Sequence, residues 1–225
     1  MARLARVVVP GMPHHVTQRG NRRQEVFFGQ DDYGAYLALM KQWCGKYGVR
    51  VWAYCLMPNH VHLILVPPSE DALCRAVGEA HRRYTRRVNF RQGWRGHLWQ
   101  GRFASFVMDK PYLIAAARYT ERNPVRAKLA LRAEEWPYSS AAMHVGGRAD
   151  GWAENDWLRE RTAGWVCTWG EYLTDPDDPQ LGPRLRRHEN TGRPFGQGSF
   201  LERLSAQLGR NLVPGKGGRP KKQRN

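Results

Sequence analysis

Residues 49–57 are a nearly unbroken run of β-favouring side chains, Pro58-Asn59 supplies a turn, and His60-Val61-His62-Leu63-Ile64-Leu65-Val66 runs back. Two such runs joined by a two-residue turn read as an antiparallel hairpin, expected at the centre of a sheet. Side chains alternate along a strand, so Val61, Leu63 and Leu65 project to one side and His60, His62, Ile64 and Val66 to the other. One face of the returning strand must therefore lie on an apolar core. The opposite face presents two imidazoles close enough to reach one cation. Taken alone, such a pair is more often two half-buried, hydrogen-bonded rings than a metal site.

The elements around the hairpin are set by turn signals and periodicity. His14–Arg19 reads as a strand closed by Gly20-Asn21. Asp31 or Asp32 can cap a helix whose apolar stripe includes Tyr33, Tyr36, Met40, Trp43 and Cys44 and which Gly48 stops. Residues 71–89 form a second helix with Leu73, Val77, Ala80, Tyr84 and Val88 inward and Arg75, Arg82, Arg83, Arg86 and Arg87 outward. Residues 101–108 read as a strand, and residues 111–123 as a helix with Pro111 in its first turn and Pro124 past its end. The order strand-helix-strand-strand-helix-strand is that of an α+β, ferredoxin-like or RRM-like sandwich with a central antiparallel sheet. On that last helix Tyr119 and Asn123, four residues apart, share a face at about 6 Å between Cβ atoms.

This palm occupies residues 1–148. A tryptophan-rich extension, residues 149–190, has the apolar payload to dock on the core through Trp152, Trp157, Trp165 and Trp169. Residues 191–225 form a basic C-terminal tail, expected as a separate module. In it Ser199-Phe200-Leu201-Glu202 reads as a capping box opening a short amphipathic helix that Gly209 closes. Its end, Gly218-Arg219-Pro220 flanked by lysines, suits a minor groove or a plain electrostatic tether.

With 36 basic and 20 acidic residues the chain carries a formal charge of +16, which points to a polyanion, with nucleic acid as the default partner. Single-stranded DNA needs a basic track and stacking platforms. The segments Arg19-Gly20-Asn21-Arg22-Arg23 and Arg91 to Phe103, with Arg95, Trp99 and Arg102, supply both, although at least one of Trp94 and Trp99 is expected to be tucked into the core. Cys44, Cys55, Cys74 and Cys167 lack a zinc-like or short disulfide spacing, and no run of about 18 apolar residues occurs. A cytoplasmic protein with no membrane partner is expected.

Met57-Pro58-Asn59-His60-Val61-His62-Leu63-Ile64-Leu65, Trp99-Gln100-Gly101-Arg102 and Arg118-Tyr119-Thr120-Glu121-Arg122-Asn123-Pro124, in that order, resemble the His-hydrophobic-His endonucleases. Within these the chain resembles most closely the REP-associated single-tyrosine transposases. Val16 to Arg22, Asn123-Pro124-Val125-Arg126-Ala127 and Glu135 to Ser140 extend the resemblance, which covers roughly residues 7 to 145. It implies the same palm, Tyr119 as nucleophile, and a divalent metal held by His60, His62 and Asn123. Such ligands suit Mn²⁺ and tolerate Mg²⁺. It also implies cleavage and rejoining of hairpin-forming, REP-like single-stranded DNA through a 5′-phosphotyrosine, by a monomer or homodimer. Arg118 and Arg122 are near enough in sequence to help stabilise the phenolate and to face DNA, with a solvent-facing position equally open for either. The rival readings are a non-catalytic hairpin-binding regulator on the same palm and a metal-dependent hydrolase of another ester.

Overall fold

Three strands carry apolar side chains on both faces, which is possible only if both faces of their sheet are covered. The computed structural model describes residues 5–146, 150–164 and 167–213. Its elements begin with β1 (His14–Arg19), α1 (Gln30–Lys46), β2 (Arg50–Met57), β3 (His60–Val66), α2 (Ala72–Gln92), β4 (Ala104–Val107) and α3 (Lys110–Glu121). The strands form one antiparallel sheet in the order β2-β3-β1-β4, which is the expected α+β sandwich.

On one face Val16, Tyr54, Leu56, Val61, Leu63 and Leu65 meet the stripes of α1 and α2. On the other, Ile64, Val66 and Phe106 meet Leu113, Ala116 and Ala117 of α3. The histidine face is thus covered in part by α3, and further by helices later in the chain. These are α4 (Asn123–Arg126), α5 (Ala141–Gly146), α6 (Asp156–Thr162), α7 (Trp169–Thr174), α8 (Leu181–Thr191) and α9 (Gly198–Leu208). Trp157 stacks on Trp52 at 5.1 Å and donates its indole N–H to the Trp52 carbonyl at 2.9 Å. Leu181 and Leu185 of α8 join the same core.

Several local expectations need correction. The hairpin is not central: β3 is, but β2 is the terminal strand, because β1 inserts between β3 and β4. An exposed strand edge invites pairing with another chain, and residues 138–140 cover this one, with Leu56 N–H donating to the Tyr138 carbonyl at 2.9 Å and Ser140 N–H to that of Tyr54 at 3.0 Å. The last strand begins at Ala104 rather than Gly101, where a φ of +65° turns the chain out of the sheet. Gly29, not Asp31 or Asp32, caps α1. Asp32 instead accepts from Phe28 N–H at 2.8 Å and holds Arg91 at 2.5 and 2.7 Å. Pro124 does more than end α3: it lies in the first turn of α4, where its missing N–H is no loss. The capping box at Ser199 does not form, since α9 starts at Gly198 behind Gln197. Nor does the tail stand apart, because Phe200, Leu204 and Leu212 pack with Val7, Val9 and Val107. Its basic end, including Arg219, lies outside the described residues. Among the described residues no helix is long and apolar enough to cross a membrane.

Two histidines serve the fold as neutral rings. His14 Nε2 accepts from Val9 N–H at 3.1 Å and leaves Nδ1 to donate to the Met12 carbonyl at 2.8 Å, while His81 Nε2 meets the Tyr36 hydroxyl at 2.8 Å. Burial pushes their pKa values down to about 4 and about 3. Between those values and the ordinary 6.5 the unfolded chain binds more protons, so their stabilisation is complete above about pH 6.5 and lost as pH falls. The melting temperature should drop steadily from pH 7 to pH 5, with a shallower slope in His81→Gln. A flat profile would contradict the neutral assignment.

Candidate active site

Register across β1 and β3 builds the site. Arg19 lies opposite His60, Thr17 opposite His62, and His15 opposite Ile64, so all of these side chains share the face that α3 and α8 cover. Asn59 donates its amide N–H to the Arg23 carbonyl at 3.1 Å, which turns its oxygen toward His60 Nδ1 at 2.6 Å. That oxygen can only accept, so His60 carries its proton on Nδ1 and its Nε2 lone pair stays bare, as an oriented metal ligand requires. His62 Nδ1 lies 3.1 Å from His15 Nε2, with the rings stacked at 5.2 Å. His15 Nδ1 is buried without a hydrogen-bond partner among the described residues, and Glu189 Oε1 of α8 lies 3.8 Å from it.

His15, His62 and Glu189 offer ligand atoms within 4.8 Å of one another. His60, His62, Glu189, Arg19 and Arg102 line a cavity of about 300 Å³. Burial, followed by Arg19 and Arg126, lowers the His60 pKa to about 3. Burial alone lowers that of His15 to about 3, and burial with the neighbouring rings and arginines holds His62 well below its usual value. Burial raises the Glu189 carboxyl against the pull of Arg19 and Arg186. These imidazoles are therefore neutral, which is the form that binds a metal. A half-buried carboxylate beside a buried ring nitrogen with no hydrogen-bond partner among the described residues fits a divalent cation.

Tyr119 reaches this face from α3. Its ring meets His62 edge-on at 5.9 Å, and the Arg126 guanidinium lies over it at 3.7 Å while donating to the Tyr119 carbonyl at 2.5 Å. At Gly182 of α8 a Cβ would stand 3.4 Å from the same ring, so the extension closes over the tyrosine. Asn123 is buried nearby, its amide N–H groups donating to the carbonyls of Tyr119 and Thr120 at 3.2 Å each. Those bonds leave its side-chain oxygen as the group able to ligate.

The end of α3 is fastened by Glu121. Its wholly buried carboxylate accepts from the Ser140 hydroxyl at 2.5 Å and the Trp169 indole at 2.8 Å, and meets His144 Nδ1 at 2.5 Å.

The expected DNA-facing residues divide. Arg19, Arg22, Arg82, Arg86, Arg95 and Arg102 are exposed, although Arg82 is paired with Glu79 at 2.7 Å. Asn21 is half-buried and ties its loop to the Leu98 carbonyl at 2.8 Å, and Arg22 holds a left-handed φ of +52°. Arg118 and Arg122 require correction. Arg118 is only 5% exposed and donates to the carbonyls of Tyr172 and Asp175, and Arg122 donates to that of Leu173 and to Asp177. Both guanidinium groups hold the loop after α7 instead of facing solvent. Trp99 is 6% exposed and stacks on His81 at 4.8 Å, so it is a wall of the core, not an open platform. Sequence reasoning missed His15, Arg126 and Glu189. Alternation alone would have placed His15 beside Thr17 and Arg19, whereas nothing local marks Glu189.

A REP-associated tyrosine transposase of Haemophilus influenzae is 28% identical over 138 residues, which is 56% of this chain and 77% of that protein. A solved structure of a REP-associated tyrosine transposase bound to a REP hairpin shares the fold, with TM-score 0.55 and 21% identity over 75% of this chain and 95% of that one. Residues 8–123, slightly more than half of the chain and including His60, His62, Tyr119 and Asn123, match the family described as IS200-like transposases, and the chain belongs to that family.

Proposed function

We propose that this chain is a metal-dependent nuclease and strand-transfer enzyme for single-stranded DNA, cleaving and rejoining hairpin-forming repeats through Tyr119. The observation that carries the reading is the meeting of the Tyr119 ring with His62, at 5.9 Å, on the sheet face that also bears His60. A nucleophile and two neutral imidazoles then address one phosphate. The relative bound to a REP hairpin supports a structured DNA substrate.

In this reading His60 Nε2 and His62 hold a divalent ion, Mn²⁺ or Mg²⁺, with the Asn123 oxygen or Glu189 completing the set. The ion supplies Lewis-acid polarisation of the scissile phosphate. Arg126, lying over the ring, favours the phenolate. Tyr119 Oη bonds to phosphorus and gives up its proton while the bond from phosphorus to the 3′ oxygen breaks. That oxygen leaves, takes up a proton and becomes a free hydroxyl. The 5′-phosphotyrosine keeps the energy of the phosphodiester, so a later 3′-hydroxyl can reverse the step. Arg19, Asn21, Arg22, Arg82, Arg86, Arg95 and Arg102 track the backbone, and Arg219 with its neighbours tethers DNA electrostatically.

Tyr119→Phe should abolish nicking and covalent trapping of a hairpin oligonucleotide yet leave binding within about twofold, since only the nucleophilic oxygen is removed. Undiminished nicking would refute the assignment. Mn²⁺ affinity, measured by electron paramagnetic resonance, should fall roughly tenfold or more in His60→Ala and in His62→Ala, and less in Glu189→Gln. In the unaltered chain that affinity should stay flat from pH 8 to about pH 5, because protons compete at His60 only near its depressed pKa of about 3. Unchanged affinity in both histidine variants would exclude this metal site.

A further inference from the structure

A second cavity, of about 360 Å³, opens between α2 and the loop before β4, lined among others by Gln18, Gly78, His81, Trp99, Arg102 and Phe103. Gln18 and Arg102 also line the cavity that holds His60 and His62, so the two spaces share a wall. We propose that this second cavity receives one unstacked nucleobase of the strand whose phosphate lies at the histidine site. The inference rests on the proposed DNA-cleaving function and adds a protein-read base beside the cleaved bond.

The walls suit a base. His81 and Trp99 stack on each other at 4.8 Å and Phe103 meets the His81 ring edge-on at 6.4 Å, so the edges of these rings, each no more than 6% exposed, form the apolar floor of a space larger than a purine. His81 is buried and held by the Tyr36 hydroxyl at 2.8 Å, which fixes its plane. One polar group wants a partner there: the buried Gln18 donates its amide N–H to the Gly101 carbonyl at 2.9 Å while its oxygen meets no donor among the described residues. A free acceptor of this kind is what an amino group or ring N–H on the edge of a base can complete. Arg102 is exposed, makes no ion pair among the described residues and stands at both cavities, where it can hold the phosphate linking the two nucleotides.

Gly78 provides the test. It lies inside α2 on the cavity wall, and a Cβ there would meet nothing within 4 Å. Gly78→Leu therefore fills the cavity without a backbone clash and removes a helix-interior glycine, so its melting temperature should equal or exceed that of the unaltered chain. Binding of the full chain to single-stranded oligonucleotides is measured by fluorescence anisotropy without added metal, with an abasic residue walked through each position flanking the cleavage site. At one position loss of the base should weaken binding at least about fivefold. Gly78→Leu should bind the intact strand as weakly as the unaltered chain binds that abasic strand, with no further loss when the base is removed. A scan with no sensitive position overturns the proposal whatever the variant does. So does a penalty that persists in Gly78→Leu, or intact binding by that variant. Failure of the unaltered chain to bind any of the strands would instead refute the DNA-cleaving function, and this inference with it.

Discussion

Glu121 has no exposed surface, and a carboxyl group is accommodated in such a place only when hydrogen-bond partners surround it. Its partners come from three segments later in the chain: the Ser140 hydroxyl beside the outer edge of β2, His144 in α5, and the Trp169 indole in α7. Burial is the largest single influence on the His144 ring and lowers its pKa, but Glu121, through its charge and hydrogen bond, together with Glu154 and Asp150 turns the net shift upward. Two residues before this knot is Tyr119. The end of the tyrosine helix is thus fixed relative to the sheet edge and to the extension, and Arg118 and Arg122 repeat the fastening through the loop at Asp175 to Asp177. Removing one partner would leave a buried polar atom unsatisfied, so the geometry of the nucleophile and the packing of the extension stand or fall together.

The histidine face works by a related constraint. Arg19 and Arg126 add to burial in keeping His60 unprotonated, while burial works the other way on Glu189, raising its carboxyl. A site built of neutral rings, a reluctant carboxylate and nearby guanidinium groups is poorly satisfied by its own side chains, as His15 Nδ1, without a hydrogen-bond partner among the described residues, shows. A divalent ion and a phosphate together would balance it: the cation for the lone pairs and carboxylate, the anion for the arginines. The extension matters here too, because Glu189 and Gly182 both belong to α8 and bring its backbone and one ligand-capable oxygen against residues of the palm.

What could be read from the sequence was local. His14–Arg19 and His60–Val66 are bounded as their turn residues and alternation dictate, and the stripes Leu73-Val77-Ala80-Tyr84-Val88 and Tyr33-Tyr36-Met40 are buried. The pairing of His60 with His62 on one face is a result of strand geometry alone. Long-range placement was not legible. The terminal position of β2 depends on β1 joining β3, and His15 reaches His62 only through that register. Glu189 lies more than a hundred residues from the histidines, in a helix whose charged residues look like any solvated face. Arg118, Arg122 and Arg126 recur at helical spacing with nothing in composition to separate the two that tie down a loop from the one that lies over the tyrosine ring. Trp99 reads as an exposed platform only until His81 is found against it.

The central claim is that Tyr119 forms the covalent bond to DNA at a metal site built on His60 and His62. The most direct measurement is the site and polarity of that bond: the chain is incubated with Mn²⁺ and a hairpin oligonucleotide, the adduct is digested with protease and nuclease, and the modified peptide is sequenced by mass spectrometry. A 5′-phosphate on Tyr119, absent when metal is chelated, is the predicted result. Attachment to Tyr112 or another side chain, a 3′-linkage, or cleavage products with no protein adduct at all would contradict it.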